Sequence, residues 1–153
     1  MVERTALGVL ALVVFFLPVP AAAQSALRVA TWNIEDVGAP GSSEFEAAAS
    51  VLVRIDADVL ALNEVQGSAD VAYAEALATQ LGYDHVIVGG AVYGADRNAI
   101  FSRFPFVEAA SLDARDLSGD PDAKDVTRDF VRATIDAPGG VFDLVSMHWK
   151  SGW

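Results

Sequence analysis

Two short apolar runs in the first half of the chain each lead to a polar side chain. Residues 26–34 alternate in polarity and reach the amide of Asn33. Residues 59–62 are apolar without a break and lead to Glu64. A short apolar run bounded by polar residues is typical of a strand that is covered on both faces. The pattern therefore predicts two strands, each carrying an oxygen-bearing side chain at its carboxyl end.

Amphipathic stretches predict two helices beside these strands. An apolar stripe at helical spacing runs over residues 44–55, and Ser42 or Ser43 can serve as its N-cap. A second helix is predicted over residues 70–81 and is ended by Gly82. This alternation of strands and helices favours helices packed on the outside of a sheet.

The second half of the chain has the pattern of strands joined by turns. Strands are predicted over residues 84–88, 98–102, 106–110, 130–135 and 141–147. Pro105 favours a short edge position for the third of these strands, and Pro138-Gly139-Gly140 favours a hairpin between the last two. The aspartates of residues 113–125 lack the spacing of a helix-loop-helix calcium site, so a solvated loop is predicted, with adventitious calcium binding as the alternative.

The first 23 residues have the pattern of a secretory signal peptide. Arg4 supplies a charge, residues 6–17 form an apolar core, and a small-x-small cleavage pattern ends at Ala23. A membrane anchor is the alternative, but this core would reach only about 18 Å as a helix, against about 30 Å for a bilayer interior. We expect a secreted or periplasmic protein without a stable membrane span, cleaved near Ala23, with residues 24–153 forming one domain.

Composition narrows the chemistry that is available to the chain. The absence of cysteine among its 153 residues excludes disulfides, thiolate catalysis and cysteine-ligated zinc. With 21 acidic and 10 basic residues, the formal charge of −11 disfavours unspecific binding to nucleic acid and is read as a solubility feature. A phosphate-ester substrate stays possible, because a divalent metal can supply the local positive charge.

Four motifs follow one another in a recognisable order. They are Thr31-Trp32-Asn33-Ile34, Leu62-Asn63-Glu64-Val65-Gln66, the run Arg-Asn-Ala-Ile-Phe-Ser-Arg-Phe-Pro over 97–105, and Ser-Met-His-Trp-Lys-Ser-Gly over 146–152. Together they resemble the endonuclease/exonuclease/phosphatase superfamily, the deoxyribonuclease-I-like metal-dependent phosphoesterases, over residues 26–153. The resemblance implies an α/β (α+β) fold, a four-layer α/β/β/α sandwich, of which this chain carries the N-terminal part.

Glu64 is the strongest candidate metal ligand, because its strand-end carboxylate is a hard oxygen donor of the kind that Mg²⁺ binds. The resemblance places Asn33 beside it as a catalytic and metal-binding residue, and it implies Mg²⁺, with Mn²⁺ or Ca²⁺ as alternatives. Other readings stay open at both positions. Glu64 can cap a helix or face water, and the Asn33 amide can bond to its own loop.

Three further residues are candidates through the resemblance. His148 matches the catalytic histidine that bonds to the scissile phosphate, although a lone histidine is more often structural. Arg128 matches an arginine that contacts substrate phosphate, for which forked donors are suited. A surface pair with a neighbouring acid is the alternative for Arg128. Asn98 is expected to approach the substrate, whereas His85 lies mid-strand and is read as structural.

The sequence also departs from the family pattern. Ile100 and Ser102 stand where the pancreatic nuclease branch has an aromatic residue and an acid, which puts duplex DNA in doubt as the substrate. The family's Gly-Asp-x-Asn segment and its closing Asp-His pair do not occur in the 153 residues. We therefore expect this polypeptide alone to be inactive or nearly so and prone to aggregate, with an N-terminal fragment as the simplest account and a natural truncation as the alternative.

The resulting functional hypothesis is an exported, divalent-metal-dependent phosphoesterase, either a nuclease or a lipid- or sugar-phosphate phosphodiesterase. Its partner is then a phosphate-ester substrate, and no protein partner is predicted. The alternative is a binding module that has kept the fold and lost catalysis.

Overall fold

The structure is a computed structural model, and it describes residues 26–66, 70–90, 96–112, 119–120 and 128–148. The predicted signal peptide and nearly all of the predicted acidic loop lie outside the described residues, so both stay predictions. Within the described part of the chain, no helix is long and apolar enough to cross a membrane.

The described residues form two helices and seven strands. In chain order they are β1 (Val29–Asn33), α1 (Ser43–Ile55), β2 (Val59–Val65), α2 (Asp70–Gln80), β3 (His85–Val88), β4 (Arg97–Ser102), β5 (Phe106–Leu112), β6 (Phe130–Ala137) and β7 (Gly140–Ser146). These bounds lie within about three residues of those predicted from periodicity, the margin expected of such predictions. The strand after Pro105 is an edge strand, as predicted, but it is seven residues long rather than short.

The first sheet has the strand order β1-β2-β4-β3. Strands β1 and β2 run parallel, and their register places Asn33 opposite Asn63. Strand β4 runs antiparallel to both of its neighbours, so its amino-terminal end lies beside the carboxyl end of β2. Polar residues from β1, β2 and the start of β4 are therefore brought to one end of the sheet.

Both helices pack on one face of this sheet. The Ser42 side chain caps α1 by accepting a hydrogen bond from the backbone N–H of Phe45, as the sequence allowed. The shared core comes from both helices and from β2 and β4, and its largest members include Phe45, Leu52, Leu60, Leu62, Leu77 and Phe101.

The second sheet covers the opposite face. It is antiparallel with the order β5-β6-β7, and β6 and β7 are joined by the two-residue turn Pro138-Gly139, whose glycine has a φ of 111°. Inward-facing residues of β6, such as Val131 and Ile135, pack against Val59 and Ile100 of the first sheet. Three layers of the predicted four-layer sandwich are thus present in the described residues.

Candidate functional site

Strand ends from both sheets meet at one end of the sandwich. The carboxyl ends of β1 and β2 lie beside the start of β4 in the first sheet. The start of β6 and the end of β7 pair in the second sheet, where Val131 is opposite Ser146. Residues that are far apart in sequence can therefore contact one another here, on rigid elements of the kind that hold functional side chains well.

Glu64 occupies an irregular point in β2. The pairing between β2 and β4 shifts register between Leu62 and Val65, and Glu64 has a φ of 58°. A non-glycine residue in the left-handed region is unusual, and such residues concentrate at functional sites. A bulge of this type re-aims a side chain relative to the regular pleat.

Three side chains, those of Arg128, His148 and Asp96, form a cluster with this glutamate. Arg128 donates from Nη1 to Nδ1 of His148 at 2.7 Å and from Nη2 to the carboxylate of Asp96. Glu64 Oε1 lies 3.5 Å from His148 Nδ1 and 3.9 Å from Arg128 Nη2. Between 17% and 29% of each side chain is exposed, so the cluster is shielded but open to a ligand.

The contact with Arg128 defines the tautomer of His148. A guanidinium has donors only, so Nδ1 of His148 must offer its lone pair at 2.7 Å. In the neutral ring the proton is then carried by Nε2. The 3.5 Å approach of Nδ1 to Glu64 is correspondingly not a hydrogen bond in this state, and His148 presents an N–H donor on its other side.

The predicted residues do not all share this cluster. Glu64, Arg128 and His148 are in mutual contact, and Arg128 pairs with Asp96 and Glu64 rather than with the adjacent acid of the alternative interpretation. Asn33 is exposed and lies one strand away, opposite Asn63 in the register. The described contacts do not include an interaction of its side chain with the cluster.

Asn98 lies beneath the cluster. It is fully buried, its Nδ2 donates to the carbonyl of Asp129 at 2.8 Å, and its Oδ1 accepts from Asn63 at 2.7 Å. These contacts are within the protein, so the predicted approach of Asn98 to a substrate stays a prediction.

Two residues of the site escaped the sequence analysis. Asp96 directly precedes β4 and holds Arg128, but nothing in the sequence linked it to an arginine 32 positions away. Asn63 belongs to one of the four motifs, and its place in β2 carries a signal from which a role could have been inferred. It follows Val59 and Ala61 on the alternating face of β2, where a polar side chain must find partners at the interface between the sheets.

The oxygen donors of the site suit a hard cation. Glu64, Asn33 and Asp96 offer two carboxylates and an amide, and Mg²⁺ commonly takes one or two carboxylates and keeps several waters. With His148 neutral, two carboxylates against one guanidinium leave a formal charge of −1, so a bound cation would be electrostatically favoured. No group of three or more His, Cys, Asp or Glu placed to hold a metal occurs among the residues that the structure describes.

Comparisons with known proteins identify the family of the chain. The sequence profile of the Endonuclease/Exonuclease/phosphatase family matches residues 30–143. A search of curated proteins found no match.

Solved structures of the same fold are similar to the chain. An endonuclease/exonuclease/phosphatase from Beutenbergia cavernae is 30% identical, with a TM-score of 0.61, over 80% of this chain and 38% of that one. A family protein from Leptotrichia buccalis is 17% identical, with a TM-score of 0.61, over 82% and 54% of the two chains. Humanised TDP2 of D. rerio is 20% identical, with a TM-score of 0.61, over 82% and 51%.

The chain thus spans between 38% and 54% of the length of these three structures. The two less similar structures support the fold alone, and they confirm the predicted layered α/β architecture as part of a larger domain. The family profile covers most of the chain, and the relative from Beutenbergia cavernae agrees with it. The chain therefore belongs to the endonuclease/exonuclease/phosphatase family, whose members are phosphoesterase hydrolases and generally use divalent metal ions.

Proposed function

We propose that the protein is an exported, divalent-metal-dependent phosphoesterase that hydrolyses phosphodiester or phosphomonoester bonds. The observation that carries the proposal is the convergence of Glu64 in β2, Arg128 just before β6 and His148 just after β7, which lie within 3.9 Å of one another. An acid that can hold a divalent ion, a fixed cation and an imidazole N–H are part of what hydrolysis of a phosphate ester requires, the other part being a water held for attack.

In this proposal Glu64 and Asn33 hold Mg²⁺, with Mn²⁺ or Ca²⁺ as alternatives. A bound divalent ion would neutralise charge on the non-bridging oxygens of the phosphate. Glu64 lies on a bulged strand beside a shielded cluster, which fixes the direction of its carboxylate. The exposed amide of Asn33 is one strand away and leaves room for water ligands.

Arg128 and His148 are proposed to bind the phosphoryl group. The guanidinium carries five N–H donors, and its contacts with His148 and Asp96 leave others for phosphate oxygens. Because Nδ1 of His148 accepts from Arg128, Nε2 carries the proton and can donate to a phosphate oxygen. Asp96 keeps the guanidinium in place while the substrate enters.

The chain is shorter than the solved structures to which it is similar, and this affects the activity that we expect of it. Because the chain spans 38% to 54% of its structural relatives, we propose that turnover needs segments beyond these 153 residues and that this polypeptide alone has little or none. Reading the gene downstream of Trp153 tests this. An in-frame Gly-Asp-x-Asn segment and a terminal Asp-His pair would support the enzyme, whereas their absence would favour the catalytically inactive binding module.

Replacement of Glu64 is the direct test of the chemistry. In the complete gene product, Glu64→Gln should abolish Mg²⁺-dependent cleavage of a generic phosphodiester, because the amide keeps the shape and removes the anionic ligand. Glu108→Gln is a matched control, since Glu108 is an exposed glutamate on β5. Undiminished cleavage by the Glu64 variant would contradict the metal role.

The substrate class and the destination of the protein need separate experiments. A screen of the complete gene product against plasmid DNA, RNA, sphingomyelin and inositol phosphates, with and without Mg²⁺, identifies the substrate class. Specific binding without turnover would instead support the binding module. Mass spectrometry of the exported protein should find Gln24 at the amino terminus, whereas a retained leader would contradict signal-peptide cleavage.

A further inference from the structure

A partly buried polar network lies beside the proposed site, at the interface between the two sheets, which is called the seam below. Asn63 Nδ2 donates to Asn98 Oδ1 at 2.7 Å and approaches both Ser146 Oγ and the carbonyl of Met147 at 3.3 Å. Ser146 Oγ in turn donates to the carbonyl of Leu62 at 3.1 Å. The amide of Asn63 thus links β2, β4 and β7.

These groups are costly to bury unless they are paired. Asn98 is completely buried and Ser146 is 3% exposed, and the seam around them is lined by the apolar cluster of Val59, Ile100 and Val131. An unpaired amide in such surroundings carries the full penalty of desolvation. Asn63 has two N–H groups for three acceptors, so the close contact to Asn98 takes one and the two longer contacts share the other.

Each end of the network is one residue away from a side chain of the site. Glu64 follows Asn63, and His148 follows Met147, whose carbonyl Asn63 approaches. Arg128 precedes Asp129, whose carbonyl accepts from Asn98. The backbone next to each of the three side chains therefore belongs to, or accepts a hydrogen bond from, Asn63 or Asn98.

Asp129 is fixed from a second direction. Its Oδ2 accepts from Ser111 Oγ at 2.7 Å, and Ser111 Oγ accepts from the backbone N–H of Gly90 at 3.1 Å. A Cβ added at Gly90 would lie 2.7 Å from Asp129 Oδ2, so the close approach needs glycine. These contacts limit the movement of the segment that carries Arg128.

We propose that Asn63 is a positioning residue of the phosphoesterase site. It does not reach the substrate; its amide holds the end of β7 and, through Asn98, the start of β6 in register with the bulge at Glu64. This inference rests on the proposed function, because the geometry it maintains is that of Glu64, Arg128 and His148 around one phosphoryl group. A misplacement of about 1 Å in such a constellation lowers the rate about 100-fold.

The test replaces the donors without changing the shape. Asn63→Asp replaces the NH₂ group by an oxygen, which has no hydrogen to donate to the three acceptors. Ser146→Ala removes the hydroxyl that joins Asn63 to Leu62. In the complete gene product we expect kcat to fall about 10- to 100-fold for Asn63→Asp with little change in KM, and by less for Ser146→Ala. Thr134→Val is the control, since Thr134 makes its hydrogen bond to Asp143 on the exposed face of β6 and β7.

A second readout does not depend on turnover. In the complete gene product, the ring ¹⁵N signals of His148 are assigned by their loss in His148→Ala, and they can then be followed with those of His85 as an internal reference. Both seam variants should shift the His148 signals and leave those of His85 in place, whereas Thr134→Val should shift neither. If Asn63→Asp does not fold by circular dichroism, Ser146→Ala provides the test alone.

The outcomes separate the two proposals. Wild-type kcat together with unchanged His148 signals in the folded seam variants would overturn the positioning role. A wild-type protein without metal-dependent hydrolysis would overturn the proposed function instead, and the ¹⁵N signals would then still decide whether Asn63 fixes the end of β7.

Discussion

Glu64 is the candidate metal ligand, and its backbone has an unfavourable conformation. Its φ of 58° lies in the region where a side chain with a Cβ is strained, at a point where the ladder between β2 and β4 is irregular. Strain of this type persists where the surrounding structure enforces it and where a function benefits from it. Here the benefit would be a carboxylate directed toward Arg128 and His148.

The strained backbone at Glu64 predicts that replacement by glycine gives a more stable protein than replacement by alanine, although both variants lose the function. Glu64→Gly and Glu64→Ala both remove the carboxylate and should both abolish activity, but only glycine adopts a φ of 58° without a steric penalty. We expect the free energy of unfolding of Glu64→Gly to exceed that of Glu64→Ala by about 1 kcal/mol. Urea denaturation measures this difference, and equal stability of the two variants would argue against a strained bulge.

At the scale of single elements, α1 shows how a local signal sets a boundary. Ser42 has extended backbone angles and its hydroxyl accepts from the N–H of Phe45, while Ser43 is the first helical residue. The sequence offered both serines as caps, and the structure selects Ser42. Ser42→Ala should therefore lower the free energy of unfolding by about 1 kcal/mol, and Ser43→Ala by much less. Thermal or urea denaturation distinguishes them, and equal losses would contradict the assignment.

Ion pairs at the carboxyl end of α1 predict that the stability of the protein depends on pH. Asp56 ends α1 with a φ of 47°, and it pairs with Arg103 and Arg28 at 2.9 Å each. The hydrogen bond from Arg103, followed by the attraction of its charge, lowers the pKa of Asp56 below its ordinary value of 3.8. The stabilisation by this carboxylate is thus present above that value and is lost as the pH falls through the lowered pKa.

Asp56→Asn isolates this contribution, because asparagine also tolerates the left-handed conformation. The difference in unfolding free energy between wild type and Asp56→Asn should be largest near neutral pH and should shrink when the pH falls below about 4. Asp84→Asn, at an exposed aspartate before β3, serves as the control. A difference that stays constant down to pH 2 would refute the role of the ion pairs.

Element types could be predicted from the sequence because they depend on local periodicity. The run from Val59 to Leu62 and the apolar stripe of α1 predicted their elements, and the strand-end rule located Glu64. Periodicity does not specify which strands pair, so the insertion of β4 between β2 and β3 was not predicted. The partners of Asn63 and Asp96 lie as many as 84 and 32 positions away, and the bulge at Glu64 depends on that pairing.

At the scale of the whole molecule, the two sheets are open on the same side. In the described part of the chain, β1 and β7 are outermost strands, and β7 lies across from β2. A cleft of about 330 Å³ lies between these edges, and Val29, Val145 and Met147 are among the exposed apolar residues of its lining. Exposed strand edges with apolar side chains are templates for further pairing.

The 153-residue chain should therefore self-associate through these edges. Val145→Lys places a charge on β7 and should reduce light scattering at high protein concentration, because lysine on an edge strand opposes further pairing. Val53→Lys is the matched control, since Val53 is an exposed valine on α1, 65% accessible. If the two substitutions change scattering equally, general charge rather than the strand edge would be responsible.

The proposed function requires Glu64 to hold a divalent ion next to His148. Because His148 Nδ1 lies 3.5 Å from Glu64 Oε1, substoichiometric Mn²⁺ should broaden the ring NMR signals of His148 well before those of His85, and Glu64→Gln should remove this selectivity. Equal broadening of His148 and His85, or selective broadening of His148 that survives Glu64→Gln, would show that Glu64 does not hold the ion.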